Sequence, residues 1–257
     1  MSRAEPAPPT GRELGRLGFE TGSDIYERAR PGYPDTAVAD LRAVAGITSG
    51  SRVLDLAAGT GKLTRQLQRG GAVCLALEPS ASMRRVFQGA VPGVALAGGT
   101  AEMIPVAGDA VDTVVVGQAF HWFDPSRALP EIARVLRPDG WLALIWNERD
   151  ESDPAMAELV RISKWDRCQP YPMGKDFGAV VDESGLFGPV QRTRYPFTQW
   201  LDRTAFVEQV ASRSYVQVLP EPERRVLLDE VGAFGSTLGD PIAMPYITDL
   251  FCTPVAG

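Results

Sequence analysis

The sequence predicts a doubly wound α/β domain: seven strands in one sheet, helices on both faces, and a helical cap. Three observations carry this reading. Short runs, apolar throughout, recur between residues 51 and 147. Amphipathic segments with recognisable caps separate them. The first run ends in a small, glycine-rich turn, "AAGTGK". Strands apolar on both faces and alternating with helices make a parallel sheet covered on both sides.

The elements follow in order. Residues 1 to about 18 are rich in Pro, Gly and Arg and read as a loose tail. In "DIYERARPGYPDTAVADLRAVAG", Pro31 and Pro34 interrupt the pattern, and Pro34-Asp35 opens a helix through Leu41 and Val44. "RVLDLAA" is a buried strand, and "GKLTRQLQRGG" a helix stopped by Gly70-Gly71. "AVCLALEP" is the second strand. In "SASMRRVFQGA", Ser80 is the N-cap and Met83, Val86, Phe87 and Ala90 share one face. "GVALAGG" and "VDTVVVGQ" are strands three and four. "DPSRALPEIARVLRPDG" opens with an Asp-Pro cap signal, and Pro130 predicts a short first turn and a restart. "GWLALIWN" is the fifth strand.

Beyond residue 150 the pattern changes. "SDPAMAELVRISKW" is a helix capped by Asp153 with Pro154 at its first position. "QPYPMGKDFG" is a loop. "QRTRYPFTQWL" and "AMPYITDLFCT" are late strands, with helices near 204–213 and 221–234 between them. The expected division is a tail and cap helix over 1–50, a cofactor-binding core over 51–150, a lid over 151–195, and the rest of the same sheet domain over 196–257.

Bulk properties narrow the function. The chain has 257 residues, 44% hydrophobic and 23% charged, as an ordinary globular protein has. A net charge of −6 provides no basic face for a nucleic acid. Cys74, Cys168 and Cys252 lie far apart and form no CxxC pair, so neither a metal site nor a disulfide framework is expected. The N-terminus lacks an apolar signal core, and no apolar run approaches the roughly 20 residues a membrane span needs. A cytoplasmic protein is expected, monomer or dimer.

In an open parallel sheet, ligands sit beyond the carboxyl ends of the strands, where the 57–61 turn lies. A phosphate-binding loop would need a hydroxyl after Gly61-Lys62, and Leu63 stands there. A dinucleotide fingerprint would need a small third position, and Thr64 stands there. A third template is an acid followed by a small-residue turn, met by Asp55, Ala57, Gly59 and Gly61. Glu78, 23 positions beyond Asp55 at the tip of the second strand, suits two ribose hydroxyls.

With these residues in view, the chain resembles the class I S-adenosylmethionine (SAM)-dependent methyltransferases, in particular the small-molecule branch that includes trans-aconitate methyltransferase-like proteins. "VLDLAAGTG", with Ala57 where Gly is usual, resembles the first motif, and "LEPS" the second. "GGTAEMIP" resembles the third. "VVVGQAFHWFD", "EIARVLRPDGWLAL" and the N-terminal "YERARPGYP" follow in the family's order.

The resemblance implies a Rossmann-like sheet whose last strand is antiparallel, SAM as cofactor and S-adenosylhomocysteine as product. It implies that Asp55, Ala57, Gly59 and Gly61 form the turn at the methionine part. Glu78, with Pro79 and Met83, would hold the ribose, and Thr100, Ala101 and Glu102 would flank the adenine. The family often has Asp in place of Thr100, which leaves Glu102 as the other adenine partner. Gln118, Ala119 and Phe120 would lie beneath the methyl, and Tyr26 and Arg30 would close over the cofactor.

His121, the one histidine, is either a general base or a packing and hydrogen-bonding residue. Trp122, Trp146 and Asn147 would wall the acceptor, with Trp165 and Tyr171 in the lid. The expected reaction is methyl transfer to a small molecule, with oxygen or a carboxylate as acceptor. A non-methylating reaction on the same fold, a nicotinamide-dependent oxidoreductase and a nucleotide sensor are the alternatives.

Overall fold

The computed structural model describes residues 18, 20, 22–163 and 176–256. The first five strands are β1 (Arg52–Leu56), β2 (Val73–Leu77), β3 (Ala95–Ala97), β4 (Val111–Gly117) and β5 (Leu136–Arg149). They pair in parallel. β6 (Gln191–Leu201) and β7 (Ile242–Pro254) complete a seven-stranded sheet in the order β3-β2-β1-β4-β5-β7-β6. β7 runs antiparallel to both of its neighbours, so the last strand is the reversed one, as expected. The order turns back between β1 and β4, which opens a crevice beyond their carboxyl ends. The outer strands are β3, only three residues long, and β6, which carries Pro196 among Arg192 and Arg194.

The helices are α1 (Ser23–Ala29), α2 (Asp35–Val44), α3 (Lys62–Arg69), α4 (Ala81–Ala90), α5 (Pro125–Val135), α6 (Pro154–Ile162), α7 (Phe177–Asp182), α8 (Arg203–Ala211), α9 (Ser214–Gln217) and α10 (Glu221–Gly235). A 3-10 turn covers Phe120–Trp122. The caps are those the sequence signals. Ser80 accepts from the Met83 amide, Asp124 from Ser126, and Asp153 from Ala155 and Met156.

Alternation along the strands sorts the core into two layers. Leu54, Val114, Val116, Leu142 and Leu144 pack with Leu129, Ile132 and Val135 of α5. Val53, Val115, Ala143 and Ile145 pack with Leu41 of α2 and with Leu63 and Leu67 of α3. Each fully buried leucine contributes about 1.5–3 kcal/mol of hydrophobic stabilisation. A third cluster, from α6, α8, α10 and the start of β7, forms a helical layer over the crevice side of the late strands.

The structure corrects four local expectations. Pro130 does not divide its helix: α5 is continuous over 125–135 with Pro130 inside. The ring forgoes one backbone hydrogen bond, and burial of Leu129 and Ile132 on either side holds the helix together. α1 forms where no helix signal was read, with Arg30 as its C-cap just before Pro31. A short helix, α7, capped by Asp176, begins inside the 169–178 stretch expected as a loop. β6 begins at Gln191, inside the stretch expected as lid.

Candidate active site

The turn after β1 uses three left-handed residues: Ala57 (φ 57°), Gly59 (φ 58°) and Gly61 (φ 84°). The two glycines do different work. A Cβ at Gly59 would meet nothing within 4 Å, so the bare backbone there faces open space. A Cβ at Gly61 would lie 2.4 Å from Val91 Cγ2 and 2.8 Å from Phe87, so this glycine lets the start of α3 pack on α4. Gly61 therefore serves the fold, behind the site.

Glu78 braces the turn. Its Oε2 accepts from the Gly59 amide at 2.8 Å and its Oε1 from the Ser80 amide at 2.8 Å. Each oxygen keeps lone-pair capacity for a further donor. Burial pushes the carboxyl's pKa up, and the two amides pull it partly back. Two residues before the turn, Asp55 is buried and accepts from Thr64 Oγ1 at 2.5 Å. Burial raises Asp55 to about 7, against the lowering effect of the Thr64 hydroxyl. Thr64 thus occupies the third fingerprint position with a purpose of its own: it ties α3 to the end of β1.

β4 ends at Gly117, and Gln118 follows it at φ 59°. A Cβ on Gly117 would lie 2.6 Å from the Tyr33 hydroxyl. Gln118 Nε2 donates to the Asn147 carbonyl at 3.0 Å. Asn147 in turn donates to the Gly32 carbonyl at 2.9 Å and accepts from Thr248 Oγ1 at 2.7 Å, which fixes its amide. Glu102 accepts from the Asp124 amide at 2.9 Å. The N-terminal cap is pinned to α3: Lys62 donates to the Glu27 carbonyl at 2.6 Å, and Arg65 pairs with the Glu27 carboxylate at 2.7 Å.

Two cavities meet in the crevice. The smaller, about 250 Å³, is lined by Glu78, Pro79, Met83, Thr100, Ala101, Glu102 and Ala119. The larger, about 630 Å³, is lined by Asp55, Arg30, His121, Trp146, Asn147, Arg149, Phe177 and Arg213. Tyr26, Ala57, Gly59, Gly117, Gln118 and Trp122 face both. The larger volume lies in the range of small-molecule sites. His121 sits between two indoles, with ring centroids 4.5 Å from Trp122 and 5.0 Å from Trp146. Trp146 stacks on Phe177 of α7 at 4.8 Å. Arg30 lies with its guanidinium carbon 5.6 Å from the Tyr26 ring centre.

Residues 54–144 match the family model described as a methyltransferase domain. Over 240 residues the chain is 40% identical to an uncharacterized methyltransferase of Mycobacterium tuberculosis, covering 90% of this chain and 93% of that one. The chain belongs to the class I SAM-dependent methyltransferases. An uncharacterized methyltransferase-like protein of Schizosaccharomyces pombe is 31% identical to this methyltransferase over 222 residues, 86% of each. The fold is shared with a Haemonchus contortus phosphoethanolamine N-methyltransferase solved with S-adenosylhomocysteine. There the TM-score is 0.58 at 16% identity, covering 98% of this chain and 62% of that one. SAM is the cofactor. The residues present suit it: an open backbone at Gly59, a buried carboxylate with spare lone pairs at Glu78, and a pocket between them.

Most of the residues singled out in the methyltransferase sequence converge on these two cavities. Gly61 and Phe120 are not on either wall among the described residues. Phe120 is buried in the core, edge-on to Phe123 and Phe177, each 5.7 Å away between ring centres, and supports the wall from behind. Trp165 and Tyr171 lie outside the described residues. Sequence reasoning missed Tyr33, Arg149, Arg213 and Tyr246, all of which line the larger cavity. Arg149 stands two positions beyond the fifth apolar run, and a charge at a strand tip is the one local signal available.

Proposed function

We propose that this methyltransferase methylates a small molecule held in the larger cavity, with an oxygen or carboxylate as acceptor, in the cytoplasm. The observation that carries this reading is the shared wall. A pocket bearing the ribose-type carboxylate Glu78 opens, past Gly59 and Gln118, into a second and larger chamber. Two ligands can thus meet edge to edge. When bound, SAM supplies a methyl group made electrophilic by its sulfonium.

The chain's part is to bind, orient and exclude water. Glu78 accepts from the ribose hydroxyls, and the backbone of Ala57 and Gly59 lies against the methionine part. Thr100, Ala101 and Glu102 flank the adenine beside Pro79 and Met83. Tyr26 and Arg30 cover the methionine part from the N-terminal side, where an Arg fork suits a carboxylate. Trp122, Trp146 and Asn147 wall the acceptor. His121 takes a proton from an acceptor hydroxyl, while a carboxylate acceptor needs no base.

Mass spectrometry of small molecules released from the purified protein, followed by calorimetric titration of SAM into wild type and Glu78→Ala, tests the reading. SAM bound by wild type and lost in the variant supports it. SAM bound equally by both takes Glu78 off the ribose, and SAM bound by neither removes the reading.

A further inference from the structure

The larger cavity holds charge that methyl transfer itself does not explain. Arg149, at the end of β5, is 8% exposed, and Arg213, between α8 and α9, is also 8% exposed. Both line the chamber. Arg149 Nη2 donates to Gln209 Oε1 at 3.1 Å, a neutral partner. Gln209 is held in that orientation because its Nε2 donates to the Tyr246 hydroxyl at 2.6 Å. Nε and Nη1 of Arg149 are buried and have no hydrogen-bond partner. Among the described residues, Arg149 forms no ion pair. The acidic Asp249 on the same wall is already engaged, by Arg192 at 2.8 Å and Arg194 at 3.4 Å.

A buried guanidinium with two unmet donors and a second cation beside it is costly unless an anion completes it. We infer that Arg149 and Arg213 form an oxyanion subsite that grips a carboxylate or phosphate group of the methyl acceptor. The subsite rests on the methyl-transfer reading above and names the class of acceptor: a small molecule with at least one anionic group besides the atom methylated. Arg149 and Trp146 are three positions apart on β5, so they leave opposite faces of the strand tip. The anion grip and the aromatic wall therefore approach the chamber from two sides, which fixes the acceptor at both ends. The electrostatics agree with the geometry: burial, then the nearby Arg213, lowers Arg149 to about 9. Arg30 lines the same chamber, its guanidinium carbon 5.6 Å from the Tyr26 ring centre, and adds a third cation to this end of it.

The test is calorimetric titration of succinate, inorganic phosphate and the neutral succinamide into the protein, with and without saturating S-adenosylhomocysteine. Succinate or phosphate should bind, and succinamide should bind about tenfold weaker or less, the scale of a lost charge-assisted hydrogen bond. Arg149→Gln should weaken the anion about tenfold or more, with Arg149→Lys between, while SAM affinity stays within about twofold. Succinamide binding as well as succinate, or no anion binding at all, overturns the subsite on the wild-type protein alone, whether or not the variants fold. Loss of SAM binding by wild type would sink the methyl-transfer reading instead, and the cofactor-free titration would still report on the arginines.

Discussion

Thr64 on α3 donates a 2.5 Å hydrogen bond to Asp55 at the end of β1, and both side chains are buried. This link joins the strand before the cofactor turn to the helix after it. It also makes the folded protein's stability depend on pH. Burial raises Asp55 from 3.8 to about 7, so the folded state holds a proton that the unfolded chain has released across that window. Stability from this group is full below the unfolded value and falls as pH rises toward 7, by about 1.4 kcal/mol per pH unit. Asp55→Asn keeps an acceptor for Thr64 and removes the titration. Relative to wild type, the variant should gain about 2 to 3 kcal/mol between pH 5 and pH 8 in urea unfolding. An unchanged difference across that range contradicts the assignment.

The two turn glycines should fail in different ways. Gly61→Ala drives a methyl into Val91 and Phe87 at a left-handed φ, and should cost about 3 kcal/mol or more of stability from overpacking and backbone strain together. Gly59→Ala meets open space, so its stability loss should stay near the strain alone, about 1–2 kcal/mol. Its SAM affinity should nevertheless drop about tenfold or more, since the new methyl fills the ligand's place. Thermal unfolding and SAM titration of the pair give both readings.

Glu78→Gln preserves the side chain's shape but turns one acceptor into a donor facing the Gly59 or Ser80 amide. SAM affinity should fall about tenfold or more, with far-ultraviolet circular dichroism unchanged. Full affinity in the variant would assign Glu78 to bracing the turn and take it off the ribose.

His121→Ala should lower turnover by about a hundredfold on a hydroxyl acceptor while SAM affinity holds, the scale of a lost general base. Single-turnover rates measured across pH separate this from a packing effect, because only proton transfer changes the shape of the profile. A rate equal to wild type leaves His121 as part of the wall formed with Trp122 and Trp146.

What the sequence showed and hid follows contact range. β1, its turn, Glu78 and the Ser80, Asp124 and Asp153 caps were legible because each depends on neighbours within a few positions. Thr64 was read as a branch that excludes a pyrophosphate, but its bond to Asp55 across the turn was not visible. Phe120 has the same apolar character whether it faces a ligand or a core, and three-dimensional packing puts it against Phe177. Arg149 and Arg213 come together only because β5 and the α8–α9 corner meet, and no periodicity announces such a meeting. Pro130 misled because burial on both sides of it outweighs one missing hydrogen bond.

The sheet's two rims have a further consequence. β3 presents three residues and β6 presents Pro196, which has no N–H to give, preceded by Arg192 and Arg194. A foreign strand finds little length to zip onto at one rim and an interrupted, cationic row at the other. Edge-to-edge pairing with a second copy is disfavoured at both rims, so the sheet is expected to end at seven strands.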